Sequence, residues 1–206
     1  MCRKILRKLQ KNEKLVIASH NKGKIEEIEY LLSPYDIDVV GGYEFNFDEP
    51  EENGDSFFAN AKIKSLFFAE NTKLTSLSDD SGLVVPALDG RPGIYSARWA
   101  GETKNFSIAM NRIREELEEK SIDIKDVEAY FVCVISITWE DLHTEQFEGR
   151  VNGKLTFPAR GDSGFGYDPI FIPEGYDICF AEMKPEEKHK ISHRYEAMKL
   201  FMENCL

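Results

Sequence analysis

The sequence predicts an α/β fold, arranged as one domain with two lobes around a cleft. Three observations carry that expectation. The first periodic segments run strand, loop, helix, strand. Glu128–Trp139 is a long, β-branched, nearly all-apolar run that reads as a central strand. The chain of 206 residues is 42% hydrophobic, enough to build a real core, and it shows neither an internal repeat nor a linker.

Taken in order, Leu15–Ser19 reads as a short buried strand and Ser19–Gly23 as a turn. Lys22–Leu32 alternates at helical period, and Pro34 ends that helix. Asp36–Val40 is a second short strand, and Asp48–Asp55 an acidic loop. Asp55 or Ser56 can cap a helix that runs to about Asn71. Leu74–Leu77 reads as a strand that ends in the turn Asp79-Asp80-Ser81-Gly82, and Leu83–Leu88 as another strand. A polar helix spans Thr103 or Lys104 to Lys120. Glu145–Leu155 alternates like a hairpin partner of Glu128–Trp139, and Pro158–Asp168 is a glycine-rich loop. Ser192–Cys205 reads as a terminal helix with Tyr195, Met198 and Met202 on one face.

Charge and composition exclude several classes. Twenty-six Lys and Arg against 37 Asp and Glu give a net charge of −11. A surface this acidic argues against nucleic-acid or anionic-membrane binding, though a small anionic ligand needs only a local basic pocket. No apolar stretch approaches a membrane span. The four cysteines lack the spacing of a zinc or redox motif, so reduced thiols in a cytoplasmic protein are the plain expectation. Residues 1–14 are basic, with Arg3, Lys4, Arg7, Lys8, Lys11 and Lys14 against Glu13, and read as a frayed, flexible extension rather than a secretory signal.

Five clusters can carry chemistry. Ser19-x-Asn21-x-x-Lys24 follows a strand and opens a helix, where backbone N–H groups, a hydroxyl, an amide and an ammonium suit phosphate oxygens. It is equally a polar turn with a helix cap. Asp79-Asp80 at a strand end, with Glu51 or Glu52 upstream, can share Mg²⁺, or can be a solvated acidic turn. Asn60 and Lys64 share a helix face. Ser163–Pro169 sets Phe165, Tyr167 and Asp168 among glycines, fitting either a stacking slot for a flat base or a bulged turn anchored by core aromatics. Lys188 and His193-Arg194 put bases near a helix start, against the dipole, which points to an anionic ligand. Together these form the inventory of a metal-dependent enzyme of nucleotide phosphates.

This ordered set resembles one family, the non-standard purine nucleoside triphosphate pyrophosphatases (inosine triphosphate pyrophosphatase; dITP/XTP pyrophosphatase). The matching pieces are Ser19-His20-Asn21-Lys22-Gly23-Lys24, Glu51-Glu52-x-Gly54, Asn60-Ala61, Lys64, Asp79-Asp80-Ser81-Gly82-Leu83, Pro92–Arg98, Phe165-Gly166-Tyr167-Asp168-Pro169 and Ser192-His193-Arg194. The resemblance implies an elongated mixed-sheet domain over 15–206, a central nucleotide-binding cleft, a homodimer, and hydrolysis of ITP, dITP or XTP to the monophosphate and pyrophosphate with Mg²⁺. By position it makes Asp80 the proton acceptor and a metal ligand, with Glu51 the second ligand. It makes Ser19, His20, Asn21, Lys22, Gly23, Lys24, Lys64 and Lys188 phosphate ligands. Ser81, Phe165, Gly166, Tyr167, Asp168, His193 and Arg194 would line the rest of the substrate site. Three features depart from the pattern: the basic arm, Ser19 where Thr is common, and Ala59 where many relatives carry Glu. Two other readings stay open, a pyrophosphatase of modified pyrimidine or methylated nucleotides and a nucleotide sensor without turnover.

Overall fold

The computed structural model describes residues 7–125 and 127–206. Six strands form one sheet in the order β2-β1-β3-β4-β5-β6. They are β1 (Lys14–Ile17), β2 (Asp38–Gly41), β3 (Thr75–Val84), β4 (Glu128–Thr138), β5 (Thr144–Leu155) and β6 (Phe171–Pro173). The helices are α1 (Lys22–Leu32), α2 (Phe57–Thr72), α3 (Ser96–Trp99), α4 (Phe106–Glu119), α5 (Pro185–His189) and α6 (His193–Cys205). β1 pairs in parallel with β2 and β3, with α1 and α2 as the crossovers, and β5 pairs antiparallel with β6. The sheet is therefore mixed.

The chain divides into two compact units. The first takes residues up to Asp80, Cys133–Gly149 and Arg194–Leu206; the second takes Ser81–Val132 and Arg150–His193.

In the first unit, side-chain alternation along the strands sorts the residues between two faces. Leu15, Ile17, Leu77, Cys133, Ile135 and Ile137 form one core with Ile25, Ile28 and Leu32 of α1 and Met198 and Phe201 of α6. On the other face Val16 and Ala18 pack with Phe68 of α2. There the Ser65 hydroxyl meets those of Ser136 and Thr138 at 3.0 and 2.8 Å, and Ser78 donates to Ala61 O at 2.6 Å. The second unit packs Leu83, Val85, Ala129, Phe131, Phe171 and Phe180 against Ala109, Ile113 and Leu117, which recur every fourth residue along α4.

Two expectations change. The acid pair does not close a strand, because β3 continues unbroken from Thr75 to Val84. Asp-Asp-Ser-Gly reads locally as a turn, but here its residues lie inside a buried strand and the paired charges described below replace solvent. The expected strand Leu83–Leu88 is thus the end of β3 followed by a 3₁₀ turn that Pro86 opens.

The basic arm also differs. Its residues 1–6 lie outside the described residues, but 7–14 are anchored to the first unit. Leu9 is buried in the core, and its N–H donates to Cys205 O at 2.8 Å. Arg7 pairs with Asp141 at 2.7 Å and lies over the Trp139 ring. Among the described residues of this arm, Leu9 is the apolar side chain that docks it. We predict that Leu9→Ala lowers stability by about 2 kcal/mol, the low end for a buried leucine because a chain end can relax. Thermal denaturation should show a Tm loss of roughly 4–8 °C, and an unchanged Tm would mean the arm does not dock.

Candidate active site

In the first unit the turn between β1 and α1 is built by its own polar side chains. Asn21 is the N-cap, and its Oδ1 accepts the Lys24 N–H at 3.3 Å. Ser19 Oγ accepts the Asn21 N–H at 3.1 Å, and Ser19 is buried. The His20 N–H donates to a Glu49 carboxylate oxygen at 2.5 Å, so the turn already holds an anionic oxygen on a backbone donor. Lys22 and Gly23 are exposed. The first turn of α1 contains no acid, which leaves its dipole uncompensated by the helix itself.

Lys24 turns inward, with Nζ 3.0 Å from Asp79 Oδ2. The same oxygen accepts from Arg194 Nη2 at 2.9 Å and Nε at 3.3 Å. Arg194 also donates to Glu27, and both are buried. Burial alone would raise the Asp79 carboxyl, but Lys24, Arg194 and Lys64 hold it well below the usual carboxylate range. Arg194, expected to read a substrate, is fully buried between Glu27 and Asp79. A guanidinium spanning two carboxylates makes charge-assisted bonds on both sides.

Asp80 is the next residue of β3 and so points to the opposite face, that of α2. It is buried, and burial, with the charges of Glu52 and Asp79, raises its carboxyl from 3.8 to about 6 against the opposing pull of Lys64 and Lys24. Lys64, on α2, is buried and paired with Glu52. Burial works against its charge, but Asp79, Asp80 and Glu52 outweigh burial and raise its pKa. Glu52 reaches this position because Asn60 Oδ1, fully buried on α2, accepts the Gly54 N–H at 2.8 Å and pins the loop. A Cβ on Gly54 would stand 2.7 Å from that oxygen, so only glycine allows the approach. Glu51, the expected second metal ligand, is exposed, and Glu52 is the carboxylate drawn in. The Asn60–Gly54 bond and the Lys64 ammonium place Glu52, and the adjacency of the two acids in the sequence hid the difference.

The second unit holds the glycine-rich loop. Phe165 is 44% exposed, whereas Tyr167 is buried, edge-on to Phe106 at 5.3 Å, with its hydroxyl donating to Ser96 O at 2.8 Å. Of the two expected stacking rings, Phe165 is the exposed one. Asp168 Oδ2 accepts the Phe165 N–H at 2.8 Å and Lys188 Nζ at 2.6 Å. Lys188, expected on phosphate, is thus buried in an ion pair and lies 4.6 Å from the Phe165 ring centre. Gly164 (φ 76°) is required, since a Cβ there would fall 2.2 Å from Asp168 Oδ2. His193 is buried and stacked on Phe131, centroids 4.7 Å apart and planes within 12°. Ser81, which opens this unit, is half-buried.

Among the described residues, no group of three or more His, Cys, Asp or Glu side chains is arranged to hold a metal ion, and no helix is long and apolar enough to cross a membrane.

The parallel β1-α1-β2 start and the buried acid among lysines define the class: an α/β protein with a carboxylate–lysine centre beside an anion-accepting helix start. The chain belongs to the Ham1 family, whose model matches residues 15–204. It is 51% identical over 193 residues to the dITP/XTP pyrophosphatase of Zymomonas mobilis subsp. mobilis, covering 94% of this chain and 92% of that one. It is 50% identical over 193 residues to the dITP/XTP pyrophosphatase of Ruegeria pomeroyi, covering 93% and 94%. Among solved structures, a HAM1 protein from Coxiella burnetii matches with a TM-score of 0.85 at 36% identity, covering 93% of this chain and 97% of that chain. The Staphylococcus aureus Ham1 protein matches at 0.82 and 40%, with the same coverage.

The Asp80 environment makes a prediction with a definite sign. Its folded value lies above its unfolded one, so its contribution to stability is complete below about pH 4 and is lost as the pH rises through about 6. Asn stays neutral throughout. In chelator, Asp80→Asn should therefore gain on the wild type between pH 4 and pH 8, by about 2–3 kcal/mol at ~1.4 kcal/mol per unit. Urea denaturation at the two pH values measures the difference, and an equal effect at both would contradict the raised carboxyl.

Proposed function

We propose that this protein hydrolyses non-standard purine nucleoside triphosphates (dITP, ITP and XTP) to the monophosphate and pyrophosphate, and so clears them from the nucleotide pool. One observation carries the reading: two adjacent acids on one strand are driven in opposite directions, Asp79 held ionised and Asp80 raised to about 6. A purely structural acid pair has no need of the raised member, whereas a proton acceptor works best with a pKa near the working pH. Membership of the Ham1 family and 51% identity to a dITP/XTP pyrophosphatase support the same reading.

Each residue then has a definable task. The β1–α1 turn takes phosphate oxygens, as the His20 N–H already takes a Glu49 oxygen. Lys64, kept charged by its acidic neighbours, supplies positive charge beside Asp80. Asp80, ionised above about pH 6, accepts the proton of the water that attacks the α-phosphorus. Pyrophosphate leaves. Asp79, Arg194 and Glu27 touch no reacting atom in this scheme and hold β3 in place.

The donor set fits Mg²⁺. Asp80 and Glu52 would hold the ion through carboxylate oxygens, whose mutual repulsion a divalent cation would relieve. Two carboxylates, completed by substrate phosphates and water, are typical for this ion. When bound, it offsets charge developing on the phosphates and acidifies a coordinated water. We further propose a homodimer, on the resemblance of the motif set, and a reducing compartment, on the free buried thiols of Cys133, Cys179 and Cys205.

With dITP, the direct products should be the deoxynucleoside monophosphate and pyrophosphate, with free phosphate appearing only after a coupling pyrophosphatase is added. Stoichiometric diphosphate and phosphate would overturn the reading. Asp80→Asn should keep its fold and lose about 10²–10⁴ in kcat. The 6-oxo bases should exceed ATP in kcat/KM by at least ~100-fold, since a donor facing O6 is left unpaired by a 6-amino group. Comparable values for ITP and ATP would favour a general nucleotide pyrophosphatase.

A further inference from the structure

The segment Pro92–Arg98 belongs to the ordered motif set, yet none of the tasks above uses it. In the second unit it folds back on the end of β3, with Val84 bridged to Pro92 and the Val85 N–H donating to Arg91 O at 3.3 Å. Ser96 sits at the start of α3 and is 6% exposed. Its hydroxyl is used twice, accepting the Leu83 N–H at 3.0 Å and donating to Gly93 O at 2.6 Å. Its carbonyl is used as well, since it accepts the Tyr167 hydroxyl at 2.8 Å. One small residue therefore joins the backbone of β3, the Pro92–Arg98 segment and the glycine-rich loop.

The loop is held at two points. Tyr167 is bonded to Ser96 and packed on Phe106, and Asp168 is bonded to Lys188 and to the Phe165 N–H. Glycines stand on both sides of Phe165, Gly164 at φ 76° and Gly166 at φ 68°. These are permissive conformations, so the loop's own backbone does not fix the ring. The anchors do. Phe165 is the exposed aromatic between them, resting against the Lys188 ammonium.

We propose that Ser96 is a positioning residue: through Tyr167 it locks the glycine-rich loop to the end of β3 and so fixes Phe165 as a platform for the substrate base. The inference rests on the functional reading above and on the loop's expected role as a stacking slot for the base. Neither Ser96 nor Tyr167 touches substrate in this account. Their effect is on nucleobase binding and not on phosphate binding.

Steady-state kinetics with ITP, alongside inhibition by inorganic pyrophosphate, separates the two. Tyr167→Phe removes one buried hydrogen bond and keeps the ring, so KM for ITP should rise about 5–10-fold, the equivalent of one such bond. kcat should stay within about twofold, and the inhibition constant of pyrophosphate should not move. Ser96→Ala should act in the same direction, and the double variant should fall short of the product of the two effects, since both loosen one joint. Amide exchange of the peptide 161–168 in the free protein should quicken in both variants while exchange in α6 does not. A wild-type KM in active Tyr167→Phe protein, or an equal loss of pyrophosphate binding, would overturn the inference. Failure of the wild type to hydrolyse ITP would overturn the functional reading, and the role of the platform with it.

Discussion

The first unit depends on one buried arrangement: Arg194 of α6 spanning Glu27 of α1 and Asp79 of β3, with Lys24 on the same Asp79 oxygen. Two adjacent acids inside a buried strand would be prohibitively costly without compensation. Arg194 and Lys24 supply that compensation on one face of the sheet. Removing one partner of such a group leaves an unpaired charge in the interior, typically at several kcal/mol. The same ion pairs also fix α1 and α6 against β3, because each cation comes from a different helix and each bond is short enough to specify position as well as charge.

With the face toward α1 and α6 neutralised through Asp79, the other face is free to be unbalanced. Asp80 sits there with Glu52 and Lys64, and its carboxyl is raised instead of lowered. Stability would be served by a neutral residue at this position, so the ionised form is retained against the interest of the fold. Such a trade between stability and activity is common where a site must hold a reactive group ready. The strand supplies the division of labour through its period of two: consecutive residues face different helices and meet different charges. In the second unit the same economy of parts appears in uncharged form, with Ser96 serving three backbone segments at once.

Much of this could be read from the sequence. The β1-α1-β2 start, a cap of α2 at Asp55 or Ser56 (Ser56 in the structure) and the central β4 follow from period, caps and residue type. What could not be read was partner choice. Asp-Asp-Ser-Gly has the composition of a turn, and only the cations arriving from α1, α2 and α6 make it a strand interior. Arg194 has the look of an anion ligand in the sequence, and its partners Glu27 and Asp79 could not be named from it. Tyr167 and Phe165 are alike in the sequence, but one anchors and the other is exposed. Glu51 and Glu52 are indistinguishable until Asn60 pins Gly54. Each of these depends on contacts distant along the chain, which local patterns do not encode.

The account turns on the claim that two neighbouring carboxyls titrate far apart. Carboxyl ¹³C chemical shifts of Asp79 and Asp80, followed by NMR across the pH range of the metal-free folded protein, measure this directly. The account predicts a midpoint near 6 for Asp80 and an Asp79 that stays ionised at every pH where the fold survives. Ordinary midpoints near 4 for both, or the higher value on Asp79, would contradict it.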